Sequence, residues 1–387
     1  MFSSRLHWDL PPNRLARALA AKRAAGAPIL DLTESNPTRA GFQYPDQEIL
    51  AALGDQRGLL YEPTPTGLLS ARAAVAEHYA ARRITAPPQQ ILLTASTSES
   101  YAWLFKLLAG PGDEVLVPRP SYPLFEFLAQ LEAVRMVHYP LVYHDGWSID
   151  LDALARCVNS HTRAVIVVNP NNPTGSFVKR QEAERLTALC AERDLAIISD
   201  EVFSDYAFGT DPDRVDSYIG MDAVLAFSLS GLSKIAALPQ MKLGWLVVTG
   251  PPSLRAQACA RLELIADTYL SVGTPVQHAL PRLLESAKHV RQQVADRTRD
   301  NLANLRDTFG ASSPAQVLQV EGGWYATVRV PRTKTEEEWC LELLEHDGVL
   351  VQPGFFYDFE AEAYLVLSLL TPPDAFREGV RRLAARL

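Results

Sequence analysis

Lys234 and Asp200 are the residues whose types and settings could do chemistry. Lys234 closes the segment Ser230-Gly231-Leu232-Ser233-Lys234, which follows the apolar run Ala223-Val224-Leu225-Ala226-Phe227. That run has the composition of a buried strand, so the lysine stands just past a strand end, among small residues. A desolvated lysine has a lowered pKa, and its neutral amine attacks an aldehyde to form a Schiff base. A strand-end lysine taken alone is more often a solvated surface group; its weight here comes from its company. Asp200 ends another apolar run, Leu195-Ala196-Ile197-Ile198, and a carboxylate in that position is costly unless it is paired. Asn172 lies in the turn Asn169-Pro170-Asn171-Asn172-Pro173-Thr174-Gly175, directly after the nearly continuous apolar run Arg163 to Val168. Such a run predicts a parallel strand buried on both faces, and open α/β sheets bind ligands beyond the C-terminal ends of their strands. A further strand, Ile91-Leu92-Leu93, leads through Thr94-Ala95-Ser96-Thr97-Ser98-Glu99 into an apolar helix, Tyr101 to Leu108. A strand, a small-residue turn and a helix start together suit an anion, because free N–H groups and the helix dipole face it. Plain N-capping by Ser or Thr explains the same residues equally well.

In this order, the Asn-Pro-rich turn, the segment Ser199-Asp200-Glu201-Val202-Phe203 and the lysine segment resemble the class I and II aminotransferases of fold type I, which use pyridoxal phosphate. The resemblance runs from about Leu30 to the C-terminus. It implies an α/β fold: a large domain with a mostly parallel sheet and a small α+β domain made from both chain ends. The divisions expected are 1–44, 45–290 and 291–387. It also implies amino-group transfer between an amino acid (or amine) and a 2-oxo acid by a ping-pong mechanism. Lys234 would carry the cofactor as a Schiff base and Asp200 would face its protonated pyridine nitrogen. Tyr122, in Pro118-Arg119-Pro120-Ser121-Tyr122-Pro123, would stack on the ring, and Asn172 would bond the phenolic oxygen. Thr97 and Ser98 fall on the phosphate-contacting positions, with Ser96 where glycine is common. In Pro239-Gln240-Met241-Lys242-Leu243-Gly244-Trp245, Lys242 replaces the usual phosphate arginine and Gln240 the first glycine. Lysine keeps the charge but loses the bidentate fork. The common serine three residues before the lysine is Gly231 here, leaving Ser230 or Ser233 to serve. Tyr61, opening Tyr61-Glu62-Pro63-Thr64-Pro65-Thr66-Gly67 ahead of a helix from Leu68 to Arg82, matches a tyrosine that reaches the cofactor phosphate of the partner subunit, which implies a homodimer. Ser35-Asn36-Pro37 matches a segment lining the substrate cavity. Arg39 follows it closely, and without the resemblance it is an exposed loop arginine.

Two departures from the family pattern stand out. Phe203 occupies a position that is commonly tyrosine, so one donor to the phenolic oxygen is missing; Tyr206 is near in sequence, but its spacing does not settle a substitution. Val366, in Tyr364-Leu365-Val366-Leu367-Ser368, stands where the family has the arginine that clamps the substrate α-carboxylate. Nothing apolar replaces an Arg–carboxylate fork. Either another cation binds the carboxylate, with Arg39 the candidate, or the substrate lacks an ordinary α-carboxylate. A lyase or decarboxylase on the same cofactor, and a non-catalytic cofactor-binding regulator, stay open beside the transaminase. No basic helix-turn-helix segment precedes the cofactor domain, as such a regulator would usually carry. A nicotinamide dehydrogenase is disfavoured because no GxGxxG follows an early strand.

The elements that must position these residues suit the length and composition. At 387 residues the chain is expected to form about two domains. It is 47% hydrophobic and 21% charged, with a net charge of −8, so nothing points to nucleic acid. No apolar run approaches the roughly 20 residues of a membrane helix, and Met1 to His7 lacks the apolar core of a signal peptide. Cys157, Cys190, Cys259 and Cys340 are scattered without CxxC spacing, an arrangement expected of a reducing cytoplasm and not of a zinc site. Further helices are expected over Asp9 to Ala25, Leu151 to Val158, Glu182 to Arg193, Arg282 to about Thr308 and Phe376 to Leu387. Further strands are expected at Ile29 to Leu32, Glu114 to Val117, Val134 to Val137 and Glu321 to Val330.

Overall fold

A computed structural model describes residues 2–6, 8 and 11–387. Its larger body is built on an eight-stranded sheet: β1 (Ile91–Thr94), β2 (Glu114–Arg119), β3 (Arg135–Tyr143), β4 (Trp147–Ile149), β5 (Thr162–Val168), β6 (Ala196–Asp200), β7 (Ala226–Gly231) and β8 (Gly244–Thr249). The spatial order is β1-β8-β7-β6-β5-β2-β3-β4. Strands β7, β6, β5, β2 and β3 pair in parallel, β8 runs antiparallel between β1 and β7, and β4 is an antiparallel edge strand on β3. Every residue of β6, β7 and β8 is buried; β8 and most of β6 are apolar runs as expected of strands covered on both faces, whereas β7 carries Ser228 and Ser230 inside. Alternate side chains serve the two faces. Val165, Val167 and Ile197 pack with Ala183, Leu186 and Cys190 of the helix Arg180–Arg193. Ile166, Val168 and Ile198 pack with Leu104, Phe105 and Leu262 of the helices Thr97–Leu108 and Pro252–Asp267.

The smaller body holds an antiparallel sheet in the order Gln316–Val317, Tyr325–Arg329, Tyr364–Ser368, Gln352–Pro353. Both chain ends join it. Leu30–Asp31 pairs in parallel with Val349–Leu350, and Leu15, Leu32 and the C-terminal helix residues Phe376, Val380 and Leu383 share one apolar core. The helix Thr274–Thr308 spans both bodies: Val276 to Ala287 pack into the core beside β1 and β8, whereas Leu302 and Leu305 pack into that of the smaller body.

Several boundaries differ from those expected, for local reasons. The strand before Lys234 is Ala226–Gly231, not Ala223–Phe227. Of its polar residues, Ser228 is satisfied inside because its hydroxyl donates to buried Glu201 at 2.9 Å. The helix Arg180–Arg193 starts two residues before Glu182, whose carboxylate accepts from the Lys179 amide at 2.7 Å and so belongs to the first turn, not the start. The long helix starts at Thr274, not Arg282, and carries Pro281 in its interior. A proline there suggests a helix start, but Pro275 in the first turn is the one at the N-terminus. The N-terminal helix is Arg14–Ala24, capped by Asn13; Asp9, where its pattern was expected to begin, lies outside the described residues.

Candidate active site

The sheet delivers the candidate residues to one edge. Because β8 is antiparallel, its N-terminal end meets the C-terminal ends of β1, β5, β6 and β7. The residues leaving those ends line one cavity of about 300 Å³: Ser96, Thr97 and Ser98 after β1, Asn172 after β5, Asp200 at the end of β6, Ser233 and Lys234 after β7, and Lys242 before β8. Close backbone approach makes room for it. Gly231 and Gly244 are register partners, and a Cβ on Gly231 would lie 2.8 Å from the Gly244 Cα. A Cβ on Gly244 would lie 3.2 Å from Thr94 Oγ1.

Lys234 sits in the single turn Leu232–Ile235. Its Nζ lies 5.6 Å from the Phe203 ring centroid and 5.1 Å from that of Trp324. Burial lowers its pKa, opposed by the field of Asp200. Asp200 is buried. Its carboxylate accepts from the Tyr101 hydroxyl at 3.1 Å and the Val202 amide at 3.2 Å. Burial still pushes its carboxyl up to about 6, against those two hydrogen bonds. The Asn172 Oδ1 is buried without a hydrogen-bond partner among the described residues. At the other end, Ser96 caps the helix Thr97–Leu108 by accepting from the Glu99 amide at 3.2 Å. The amides of Thr97 and Ser98, in the first turn, face no such cap. Lys242 is exposed and follows the turn Pro239–Met241 with φ 50°.

The other candidates are placed as follows. Tyr122 and Ser35 line the cavity and Asn36 does not. Ser233 lines it, whereas the Ser230 hydroxyl is buried without a hydrogen-bond partner among the described residues. Arg39 is exposed on a turn outside the cavity lining. Tyr61 is 73% exposed and outside the cavity of its own chain. Val366 is fully buried in an apolar cluster with Trp147, Leu318, Tyr357 and Phe359. Phe203 packs edge-on against Trp324. Tyr206 makes no substitute for the missing tyrosine hydroxyl: it donates to the Lys234 carbonyl at 2.7 Å. Tyr101, Phe125, Trp324 and Tyr325 were not expected at the site. The sequence offers little signal for them, since each is an aromatic residue of ordinary core type whose approach to the site depends on tertiary packing.

The residues present fit a ligand that is anionic at one end and cationic at the other, with an aldehyde that Lys234 can meet. Among the described residues no group of three or more His, Cys, Asp or Glu could hold a metal, and no helix is long and apolar enough to cross a membrane.

Comparison with known proteins places the chain in a family. Residues 27–383 match the family described as aminotransferase class I and II, and the chain belongs to that family. It is 25% identical over 366 residues to a glutamate-pyruvate aminotransferase of Haemophilus influenzae, covering 93% of this chain and 90% of that protein. It is 28% identical over 379 residues to an alanine aminotransferase of Mycobacterium bovis, covering 94% and 86%. Among solved structures, an alanine aminotransferase from Pyrococcus furiosus superposes with a TM-score of 0.87 at 22% identity, over 100% of this chain and 99% of that one. The α/β architecture is therefore that of fold type I, and the chain is an aminotransferase.

The raised carboxyl of Asp200 has a measurable consequence. A folded-state pKa above the ordinary 3.8 favours folding at low pH. That contribution is lost as pH rises from about 4 to about 6 and stays lost above. At neutral pH the ionised group costs the cofactor-free fold roughly 3 kcal/mol. Asp200→Asn is expected to raise the melting temperature of the cofactor-free protein at pH 7, with the gain vanishing near pH 4, while turnover falls by orders of magnitude. Thermal unfolding across that pH range checks the first part and steady-state rates the second.

Proposed function

We propose that this aminotransferase binds pyridoxal 5'-phosphate in the cavity at Lys234 and moves an amino group from an amino acid or amine to a 2-oxo acid in a ping-pong cycle. The observation that carries the reading is a desolvated lysine amine beside a buried carboxylate, in a cavity whose far end is a helix N-terminus. When bound, the cofactor supplies an aldehyde that accepts amines and a ring that takes up the electron pair released at the substrate carbon. The Thr97 and Ser98 amides, with Lys242 and the Ser233 hydroxyl, hold the phosphate. Asp200, kept in place by Tyr101 and Val202, holds a proton on the ring nitrogen. Tyr122 covers one face of the ring, and Asn172 donates from its side-chain NH2 group to the phenolic oxygen. Lys234 Nζ, held more in its free-amine form by the lowered pKa, takes the proton at the reacting carbon and returns it. Borohydride reduction of the purified protein is expected to fix the cofactor onto Lys234, located by peptide mass spectrometry; a label on another lysine removes the assignment.

The same reading makes the protein a cytoplasmic homodimer. Tyr61 stands with exposed Leu59 and Leu60 and borders a surface depression shared with Leu270, an apolar surface of the kind that partners cover. Sedimentation is expected to give a dimer; a monomer with full cofactor and full activity refutes the shared site.

Val366 leaves the substrate carboxylate without its usual partner, and no arginine lines the cavity among the described residues. Arg39 is the candidate cation. Arg39 lies outside the lining, between buried Pro37 and Ala40, so this role requires its loop to move, as loops do more readily than the elements they join. Arg39→Ala is then expected to weaken carboxylated substrates by about 1.5–3 kcal/mol with cofactor content unchanged. A substrate lacking an α-carboxylate predicts no penalty and good activity with simple amines. Comparing kcat/KM for an α-amino acid and its decarboxylated amine, in both proteins, separates the two.

A further inference from the structure

Asp205 lies outside the cavity, yet it is among the most heavily paired carboxylates in the protein. Its side chain is 8% exposed and is faced by three basic groups: His78 Nε2 at 3.5 Å, Arg82 Nη1 at 3.7 Å and Arg291 Nη1 at 3.4 Å. His78 belongs to the helix Leu69–Ala81 and Arg82 is the residue after it, while Arg291 comes from the long helix Thr274–Thr308. Burial alone would raise the Asp205 carboxyl, but His78, Arg82 and Arg291 hold it down at about 2. A buried ion cluster of this kind is weak evidence for stability as such, because desolvation offsets much of the attraction. Its other effect is to fix where its members sit.

What it fixes is the turn that follows Asp200. At the start of that turn the buried Glu201 carboxylate accepts from the Tyr218 amide at 2.8 Å, the Ser217 hydroxyl at 2.7 Å and the Ser228 hydroxyl at 2.9 Å. Asp205 ties down the other end, helped by Arg82, which donates to the Ser204 hydroxyl at 2.9 Å. The residues held in this way are the ones that touch the lysine. Phe203 lies against Nζ, and Tyr206 donates to the Lys234 carbonyl. Both rings pack edge-on against Trp324, each with centroids 5.2 Å apart, and Trp324 forms the remaining aromatic wall beside Nζ.

We propose that Asp205 is a positioning residue for Lys234, acting through Tyr206 and the turn between them. It rests on the reading of Lys234 as the reactive amine, but the amine's own reactivity tests it without cofactor. When the turn loosens, water reaches Nζ, desolvation weakens and the amine becomes harder to deprotonate. Asp200, the charged group whose field reaches Nζ, is untouched by the substitutions below.

The experiment labels Lys234 in cofactor-free protein with acetic anhydride across pH, read by peptide mass spectrometry, in the wild type, Asp205→Asn, Tyr206→Phe and the double variant. Read relative to each variant's own high-pH plateau, which removes any easier access of the reagent, labelling near pH 8 is expected to slow about threefold or more in each single variant, with the profile displaced to higher pH. The double variant is expected to be no slower than the worse single, the non-additivity of groups acting in series. The proposal is overturned if Asp205→Asn lowers the melting temperature and leaves the Lys234 profile unchanged, or if the two effects multiply. Should Asp205→Asn fail to fold, the same cycle built on Arg291→Gln carries the same two outcomes. Borohydride labelling of a lysine other than Lys234 would defeat the cofactor assignment alone, so the two failures are distinguishable.

Discussion

An acid and a base are taken out of water side by side, at the ends of two neighbouring strands. Asp200 closes β6, Lys234 follows β7, and those strands pair in parallel with Asp200 opposite Leu229. Burial acts on the two groups in opposite senses, raising the carboxyl and lowering the ammonium. Each is thereby moved toward its neutral form, and their mutual attraction only partly restores the charges. Such a pair costs the empty fold stability and is relieved by a ligand that brings a cation to the carboxylate. It is stored strain of an electrostatic kind, and the surroundings have to be rigid enough to keep both groups from finding solvent.

That rigidity comes from the sheet and from what closes over it. The antiparallel β8 sets Gly244 against Gly231, so two backbones approach where no Cβ fits. The approach brings Lys242 and the β1 turn to the same edge as Lys234. Tyr101, from the first turns of the helix behind that edge, keeps Asp200 from rotating away. The smaller body supplies the cover: Trp324 precedes and Tyr325 begins its strand Tyr325–Arg329, and the Gly323 amide donates to the Tyr206 carbonyl at 2.9 Å. The wall around the lysine is thus assembled from both bodies, which ties the site's geometry to their packing.

Much of this was legible in the sequence, because unbroken apolar runs mark strands buried on both faces and a polar residue at the end of such a run is conspicuous. Asp200, Asn172 and Lys234 stand out for that reason, and their shared edge follows from parallel pairing. The limits have physical causes. The strand before Lys234 extends through Ser228 and Ser230, which look like loop residues until Glu201 is seen to accept from Ser228. Pro281 resembles a helix start, yet sits inside a helix that Pro275 opens. Tyr101 meets Asp200 across a separation of 99 residues, and no local pattern encodes such a meeting. Asp205 is the extreme case. An aspartate in a turn is ordinary, and only the convergence of two helices makes it a buried ionic centre.

The order of strands also fixes which way a ligand must lie. Thr97 and Ser98 leave β1, Lys242 enters β8, Lys234 leaves β7 and Asp200 closes β6, and these are consecutive in the sheet. With neighbouring strands about 4.8 Å apart, the anion-binding turn and the carboxylate are separated by roughly 14 Å along the sheet edge. Positive potential therefore sits at one end of the cavity and negative potential at the other, with the neutral-leaning amine between them. A ligand with a phosphate at one end and a protonated ring nitrogen at the other satisfies both ends in one orientation, and reversal would set like charges together. The same field bears on the substrate. The cavity has no lining arginine among the described residues, so with a phosphate at Lys242, as proposed, an anionic substrate group would have to be held by hydroxyls such as those of Ser35 and Tyr325 or by a cation brought in from outside the lining. On that proposal specificity would lie in the loops and the smaller body, whereas the amine and the carboxylate are placed by the sheet.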